Sequence, residues 1–160
     1  MTYCVIAMGS NMGDRLANLQ NALAALSEKV GILKKSRIYE TKPVGYLDQG
    51  DFLNGAIFGT TLCTPFELLC FLKQIEKKMG RANTFRNAPR PIDLDIIFYG
   101  EVRINMRSLK IPHIQWRQRQ FVYVPLRDFC EDAAFAAAFP FEREIIKVLP
   151  KSEIFAKYEM

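Results

Sequence analysis

Two aspartates, Asp93 and Asp95, alternate with apolar residues in the segment 92–99 and are the sharpest local candidates for chemistry. On a β-strand, residues i and i+2 point to one face roughly 7 Å apart, so both carboxylates can reach metal ions about 4 Å apart. Hard oxygen ligands in so small a cluster favour Mg²⁺, which also shares phosphate oxygens. The alternative is a strand with its polar face in water. Ile97 and Tyr99 continue the same face, which favours the metal site.

The loop directly before these aspartates, residues 81–91, contains Arg81, Arg86 and Arg90. A guanidinium group binds phosphate oxygens through a planar fork, and a metal ion with arginines is the usual charge-neutralising set for phosphoryl transfer. A basic loop by itself is more often only a solvated surface. Its position beside an acidic pair makes a phosphate-binding role the stronger interpretation.

A third candidate is the pair Phe52 and Asn54, which share one face if the segment 52–62 is a strand. The ring offers a stacking surface, and the carboxamide offers both a donor and an acceptor. A flat heterocycle with an amide-like edge would suit this pair. On these two residues alone, the alternative is favoured, with Phe52 in the core and Asn54 capping a turn.

Several common sites are excluded or disfavoured. His113 is the only histidine and has no second ligand at metal spacing, so we do not expect a zinc site. The chain contains no G-x-x-x-x-G-K-[ST] string, and the glycines after the first apolar segment do not form a G-x-G-x-x-G fingerprint. ATP, if it binds, must use another kind of phosphate site.

Composition predicts one folded domain spanning residues 1–160, because 49% of the residues are hydrophobic and only 24% are charged. A net charge of +5 favours small anionic ligands but is mild for a nucleic-acid-binding protein. The four cysteines contain no C-x-x-C pair, which is typical of a reducing compartment. No apolar run approaches a membrane span and the start lacks a basic signal region, so we expect a cytoplasmic monomer without nucleic-acid or membrane partners.

The elements that must position these residues can be predicted from periodicity. The first half should contain a central strand over 2–8, an amphipathic helix from an Asp14 cap to Gly31, an edge strand over 33–41 and a strand over 52–62. Thr64 and Glu67 form a capping box for a second helix that ends near Gly80.

After the strand over 92–99 the pattern weakens. We expect a short partner strand over 102–104, one more strand over 121–124, a helical turn or two over 125–130 and a final amphipathic helix over 141–149. The order β-α-β-β-α-β predicts an α+β, ferredoxin-like core, a mainly antiparallel sheet with two helices on one face, followed by C-terminal additions.

Taken together, these segments resemble 6-hydroxymethyl-7,8-dihydropterin pyrophosphokinases, folate-pathway enzymes that transfer pyrophosphate from ATP to a pterin alcohol. The resemblance runs from about residue 5 to residue 126 and depends on the order and spacing of short landmarks: Gly9-Ser10-Asn11, Thr41-Lys42-Pro43-Val44-Gly45, Asp51-Phe52-Leu53-Asn54, Ile75-Glu76, Gly80-Arg81, Pro89-Arg90-Pro91-Ile92-Asp93-Leu94-Asp95, Pro112-His113, Arg119-Gln120-Phe121-Val122 and Pro125-Leu126.

The resemblance implies a role for each matching residue. Asp93 and Asp95 would bind two Mg²⁺ ions and, with Arg81 and Arg90, form the catalytic set. The ATP site would consist of Glu76, Arg81, Arg90, His113 and Arg119. The pterin would stack between Phe52 and Phe121 and contact Thr41, Pro43, Val44, Asn54 and Asp95. The implied reaction is attack of the hydroxymethyl oxygen on the β-phosphorus of ATP, which releases AMP.

Some positions depart from the family pattern. Asn87-Ala88 stand where Trp-Gly is common, Pro91 replaces a small or β-branched residue, and Asn83 stands where a basic residue is common. The loop 82–91 has no hydrophobic periodicity, so we expect a mobile lid, less tightly latched here because the aromatic residue is missing. Two alternatives stay open, a kinase acting on another pterin or heterocyclic alcohol and a ferredoxin-like nucleotide- or RNA-binding module without turnover.

Overall fold

The computed structural model describes residues 1–148 and 156–160. Its strands are β1 (Thr2–Ser10), β2 (Val30–Lys35), β3 (Ile38–Thr41), β4 (Phe52–Thr61), β5 (Asp93–Tyr99), β6 (Ile104–Asn105), β7 (Lys110–Ile111) and β8 (Ala156–Tyr158). Its helices are α1 (Arg15–Leu26), α2 (Pro65–Lys78), α3 (Gln120–Leu126), α4 (Ala133–Ala138) and α5 (Pro140–Val148), with a 3₁₀ turn over Arg127–Phe129.

The main sheet has the strand order β5-β1-β4-β3-β8, and β2 also pairs with β4. Every pairing in it is antiparallel. Strand β4 is long enough to pair with β2 along one half and with β3 along the other. With α1 and α2 as the connecting helices, this is the α+β, ferredoxin-like arrangement predicted from the sequence.

The sheet is covered on both faces, because side chains on a strand alternate between the two sides. Cys4, Ile6 and Met8 of β1 join the apolar cluster under α1 and α2. Val5 joins a second cluster with the aromatic residues of the C-terminal helices. The helices after β5 therefore build a second layer on the face opposite α1 and α2.

Both predicted helix caps are present. The Asp14 carboxylate accepts a hydrogen bond from the backbone N–H of Ala17 and starts α1. Thr64 and Glu67 form a reciprocal capping box at the start of α2, in which each side chain accepts from the other residue's backbone N–H. These local bonds satisfy N–H groups that the first helical turn leaves without partners, which explains why the sequence located them correctly.

Two boundaries in the first half differ from the prediction. Helix α1 ends at Leu26, and Gly31 lies inside β2 because the chain already pairs with β4 there. The single edge strand predicted over 33–41 is two strands, separated at Ser36 and Arg37. The Ser36 hydroxyl donates to the Arg37 carbonyl and accepts from the backbone N–H of Ala56, which breaks the ladder at that point.

The predictions after β5 need larger corrections. Residues 121–124 are not a strand but lie in α3, whose first turn is closed by backbone bonds to the Arg119 carbonyl. Strand β6 pairs with β7 in a separate small sheet and not with β5. The final helix is α5, Pro140–Val148, and the predicted end at Leu149 lies outside the described residues. No helix in the described ranges is long and apolar enough to cross a membrane.

Candidate active site

The acidic pair and the ring-and-amide pair lie on the same face of the sheet. In the strand register, Gly9 of β1 is opposite both Asp93 of β5 and Asn54 of β4. Neighbouring strands are about 4.8 Å apart, so the two candidate pairs face each other across roughly 10 Å of sheet. The prediction that Asp93 and Asp95 share a face, like that for Phe52 and Asn54, agrees with this register.

The central strand contributes only small side chains between the two pairs. Ala7 lies between Asp95 and Ala56, and Gly9 lies between Asp93 and Asn54. A Cβ on Gly9 would come 2.8 Å from Oδ1 of Asn54, closer than normal packing allows. The absence of a side chain at this position therefore opens the floor of the cavity.

A cavity of about 370 Å³ occupies this space. Nine of the predicted site residues line it, namely Thr41, Val44, Phe52, Asn54, Arg90, Asp93, Asp95, Arg119 and Phe121. A volume of this size suits a small organic ligand. Its walls bring together residues from β3, β4, β5 and α3 that are far apart along the chain.

Four predicted residues, Glu76, Arg81, His113 and Pro43, do not line this cavity. Arg81 lies behind the acidic pair, where its Nη1 atom is 2.6 Å from Oδ1 of Asp93 and 2.7 Å from Oε1 of Glu76. Glu76 is buried, and the same carboxylate oxygen accepts from the backbone N–H of Leu94. Glu76 and Arg81 thus form a support beneath β5.

His113 follows β7, and its backbone N–H donates to the Ile97 carbonyl of β5. Its Nδ1 atom accepts from the backbone N–H of Gln115 at 3.3 Å. This bond favours the tautomer with hydrogen on Nε2, which leaves Nε2 as a donor. Burial lowers the pKa of His113, and the charge of Arg119 lowers it further.

The two aspartates are in different electrostatic environments. Burial acts to raise the pKa of Asp93, but the charges of Arg90 and Arg81 outweigh it and hold that pKa below its usual value. Burial and the negative charge of Asp93 raise the pKa of Asp95 to about 6. Two carboxylates that repel each other in a cavity are a site that a cation would stabilise.

Each predicted stacking ring has an arginine beside it. The guanidinium carbon of Arg90 lies 5.5 Å from the centre of the Phe52 ring, and that of Arg119 lies 5.5 Å from the centre of the Phe121 ring. Both distances are within the range of cation–π attraction. The phosphate-binding candidates and the ring-binding candidates are therefore direct neighbours.

Asn54 is held in place by a hydrogen bond from its Nδ2 atom to the Thr41 hydroxyl, at 2.7 Å. Both side chains are buried at the wall of the cavity. Since Nδ2 can donate a second bond and Oδ1 can accept, the amide still has bonds to offer a ligand. This arrangement of Asn54 fits the recognition of a ring edge better than a role in capping a turn.

The loops 42–51 and 81–91 meet above the cavity. Gln49 donates to the Asn87 carbonyl at 2.8 Å, and Asn11 donates to the Gln49 side chain at 2.7 Å. Asn11 also accepts from the backbone N–H of Arg90. An edge-to-face contact between Tyr46 and Phe85, 5.0 Å between ring centres, adds an aromatic link.

Sequence reasoning missed several wall residues, among them Lys42, Gln115 and Gln118, whereas Arg86 of the basic loop does line the cavity. Gln115 and Gln118 carried no signal beyond their closeness to His113 and Arg119, because a glutamine in a loop has no characteristic spacing. Asn11 belongs to one of the short strings that carry the family resemblance, but the sequence predicted no contact for it. Only the fold brings it against residues 49 and 90.

The donor set fits magnesium. Asp93 and Asp95 supply hard oxygen atoms at the cavity wall, where burial and then the negative charge of Asp93 raise the pKa of Asp95. Among the residues that the structure describes, no third acid, histidine or cysteine joins them in a metal-binding cluster. Mg²⁺ is often held by one or two carboxylates, with phosphate and water oxygens in its other positions.

Comparison with known proteins agrees with this geometry. Residues 5–131 match the sequence model of the family described as 7,8-dihydro-6-hydroxymethylpterin-pyrophosphokinase. The chain is 44% identical over 128 residues to the 2-amino-4-hydroxy-6-hydroxymethyldihydropteridine pyrophosphokinase of Bacillus subtilis, covering 79% of this chain and 77% of that one.

Longer relatives match as well. The mitochondrial folate synthesis bifunctional protein of Arabidopsis thaliana is 46% identical over 130 residues, which is 81% of this chain but only 24% of that protein. The chain thus spans about a quarter of the length of that relative. Wild-type Plasmodium falciparum HPPK-DHPS has a similar fold, with a TM-score of 0.61, 16% identity, and coverage of 79% of this chain and 41% of that one.

The family model covers most of the chain, and the B. subtilis relative is matched over more than two thirds of its own length. Nine of the thirteen residues to which the resemblance assigns roles also line one cavity. The chain therefore belongs to the 7,8-dihydro-6-hydroxymethylpterin-pyrophosphokinase family.

Proposed function

We propose that this protein transfers pyrophosphate from ATP to the hydroxymethyl group of 6-hydroxymethyl-7,8-dihydropterin and releases AMP. One observation carries the proposal. A single cavity has an acidic pair, Asp93 and Asp95, on one side and a ring-and-amide pair, Phe52 and Asn54, on the other. The first suits a metal-bound polyphosphate, and the second suits a flat heterocycle with an amide-like edge.

On the phosphate side of the cavity, positive charge lies both on the cavity wall and behind it. Arg90 and Arg119 line the cavity and can contact phosphate oxygens directly. Arg81 lies behind Asp93 and neutralises part of the acidic cluster. In the proposed reaction Arg81 fixes the orientation of the Asp93 carboxylate, while the other two arginines stabilise negative charge on the transferring group.

The pterin side is built for alignment. Phe52 and Phe121 line the cavity from β4 and α3, so a flat ring can stack between them. Asn54, held by Thr41, would hydrogen-bond the amide-like edge of the ring. Val44 supplies apolar wall from the loop 42–51, and the buried Pro43 shapes that loop from behind.

In the reaction, the hydroxymethyl oxygen forms a bond to the β-phosphorus of ATP. The bond between that phosphorus and the oxygen bridging to the α-phosphate breaks, and AMP leaves. Asp95 would orient the attacking hydroxyl and receive its proton, because its carboxylate lines the cavity across β1 from the ring-and-amide pair. Holding both substrates in line supplies much of the rate enhancement.

Asp93 and Asp95 would hold two Mg²⁺ ions, and bound Mg²⁺ supplies charge neutralisation at the phosphate oxygens. His113, with Nε2 free to donate, and Arg119 would contact the nucleotide beside them. Glu76 supports this side indirectly through Arg81.

The proposal is tested by incubating the protein with Mg-ATP and 6-hydroxymethyl-7,8-dihydropterin and by separating the nucleotides. We expect AMP and the pterin pyrophosphate in equal amounts, and neither product when the pterin is omitted. ADP in place of AMP would indicate simple phosphorylation and would contradict the proposal. Binding of both substrates without any product would indicate a binding module. A parallel reaction with a pterin lacking the hydroxyl group controls for ATP hydrolysis.

A further inference from the structure

Arg15, the first residue of α1, connects two parts of the chain that are distant from it in sequence. Its Nη1 atom donates to the backbone carbonyl of Asp51 at 2.8 Å. The same atom lies 2.8 Å from Oε2 of Glu40. One guanidinium nitrogen thus contacts the end of β3 and the residue before β4.

These two partners stand at the two ends of the loop 42–51. Glu40 precedes Thr41, the last residue of β3, and Asp51 precedes Phe52, the first residue of β4. Thr41 and Phe52 are paired across the ladder, and both line the cavity. Arg15 therefore holds the loop together at its base, one residue away from the cavity wall on each side.

Apart from the β3–β4 ladder itself, the other side-chain contacts at this base do not duplicate that link. Lys157 binds the second oxygen of Glu40 at 2.7 Å but makes no bond to Asp51. Lys42 lies 3.5 Å from the Asp51 carboxylate, but its side chain is 88% exposed, so this ion pair contributes little. Arg15 and Glu40 are less than one third exposed. Among the bonds in the described residues, only Arg15 joins Glu40 to the Asp51 carbonyl.

We infer that Arg15 is a positioning residue for the pterin side of the cavity, acting through Glu40 and the Asp51 carbonyl. The inference rests on the proposed function, because it assigns the ring site to a pterin. Without Arg15, the ladder still pairs Thr41 with Phe52, but the last pair of that ladder is no longer fixed from α1 through Glu40 and the Asp51 carbonyl. The Thr41–Asn54 hydrogen bond and the Phe52 ring then lose their fixed spacing, while the acidic pair on β5 is unaffected.

The experiment compares three variants with the wild-type protein in equilibrium titrations of pterin and of a non-hydrolysable ATP analogue with Mg²⁺. Arg15→Gln removes the charge and keeps a polar side chain. Arg15→Lys keeps a cation that can replace Nη1 at both partners. Arg37→Ala is the matched control, since it removes an ion pair with Asp128 from the same β2–β3 region at a distance from the cavity wall. Thermal unfolding of each variant confirms that it is folded.

We expect Arg15→Gln to weaken pterin binding about tenfold, the usual effect of losing a charged hydrogen bond, and to leave affinity for the ATP analogue within about twofold. Arg15→Lys should recover most of the pterin affinity, and Arg37→Ala should not change it. In turnover, the KM for pterin should rise with kcat within about threefold of wild type, because only binding of the ring is affected.

The outcomes separate this inference from the proposed function. If the wild-type protein binds pterin and Arg15→Gln binds it with the same affinity, the role of Arg15 is overturned and the proposed function stays intact. Equal losses for pterin and the ATP analogue in Arg15→Gln would also overturn it, because they indicate general destabilisation. Wild-type protein that binds no pterin would overturn both.

Discussion

Arg81 places one nitrogen, Nη1, 2.6 Å from a carboxylate oxygen of Asp93, and so connects the candidate metal ligand to the interior of the protein. The same nitrogen is 2.7 Å from buried Glu76. Asp93 is therefore held from behind, on the side away from the cavity. This arrangement makes Arg81 important for stability as well as for the reaction.

Replacing Arg81 with alanine should lower the free energy of unfolding by about 2 kcal/mol, because it leaves Glu76 buried with weaker partners. This figure is below the usual cost for a fully buried pair, since Arg81 is a quarter exposed and Lys73 still contacts Glu76. Urea denaturation measures the change. The double variant with Glu76→Gln should be less destabilised than the sum of the two single variants, and strict additivity would contradict the coupling.

Replacing Asp93 or Asp95 with alanine should slow AMP formation at least about a hundredfold, which corresponds to about 3 kcal/mol of transition-state stabilisation. The fold should be retained, because both side chains face the cavity and are not part of the apolar core. Single-turnover assays at saturating substrate measure the loss. Glu101→Ala, which removes an exposed carboxylate in the turn after β5, is the matched control. Near-normal turnover in either Asp93 or Asp95 variant would contradict the two-metal assignment.

Replacing Gly9 with alanine should weaken pterin binding by about tenfold or more, because the new methyl group would meet Oδ1 of Asn54 at 2.8 Å. The amide must then move away from Thr41 or from the ring edge. Affinity for the ATP analogue should change much less. Ala7→Gly, one ladder step along the same face, is a useful comparison because it adds no volume. Unchanged pterin affinity in Gly9→Ala would indicate that the amide does not face the ligand.

The loop 82–90 should become protected from hydrogen exchange when the ATP analogue and pterin bind together, since closure over both excludes water. Asn11→Ala should increase exchange in this loop and in 42–51 at the same time, because the Asn11 side chain bonds to both. Exchange measured by mass spectrometry at peptide resolution tests this directly. Protection that is already high in the free protein, or unchanged by the ligands, would show that the loop is not a lid.

The free energy of unfolding should decrease in alkaline solution because the buried phenol of Tyr39 ionises. Burial and a hydrogen bond to Asp128 raise the pKa of Tyr39 to about 12, whereas an unfolded tyrosine titrates near pH 10. The contribution of the neutral phenol is therefore complete below about pH 10 and is lost as the pH rises to about 12. Unfolding of wild type and Tyr39→Phe across this range should show a steeper decline for wild type. Parallel curves would contradict the assignment.

Local patterns in the sequence were sufficient for much of the framework. The alternation at Asp93 and Asp95, the period of α2 and the caps at Asp14 and Thr64 depend on neighbours within a few residues, so they were correctly predicted. The order of those elements was also enough for the ferredoxin-like core. Interactions of short range along the chain determined these features.

Tertiary packing decided the rest. Residues 121–124 have a β-forming composition, yet they are helical because α3 buries Val122, Tyr123 and Val124 among the sheet and the C-terminal helices. The split between β2 and β3 likewise follows from where the chain meets β4. Propensity differences of a few tenths of a kcal/mol are smaller than such burial, so they do not decide the outcome.

The candidate site shows the same division. The sequence by itself determined which side chains could bind metal, phosphate and a flat ring, because these properties belong to the residue types. Only the antiparallel register across β5, β1 and β4 decided that Asp93 and Asp95 face Phe52 and Asn54 over Gly9. It also placed Glu76 and Arg81 behind that cavity and Arg15 beneath its loop, since contacts between distant segments depend on the packing of the whole fold.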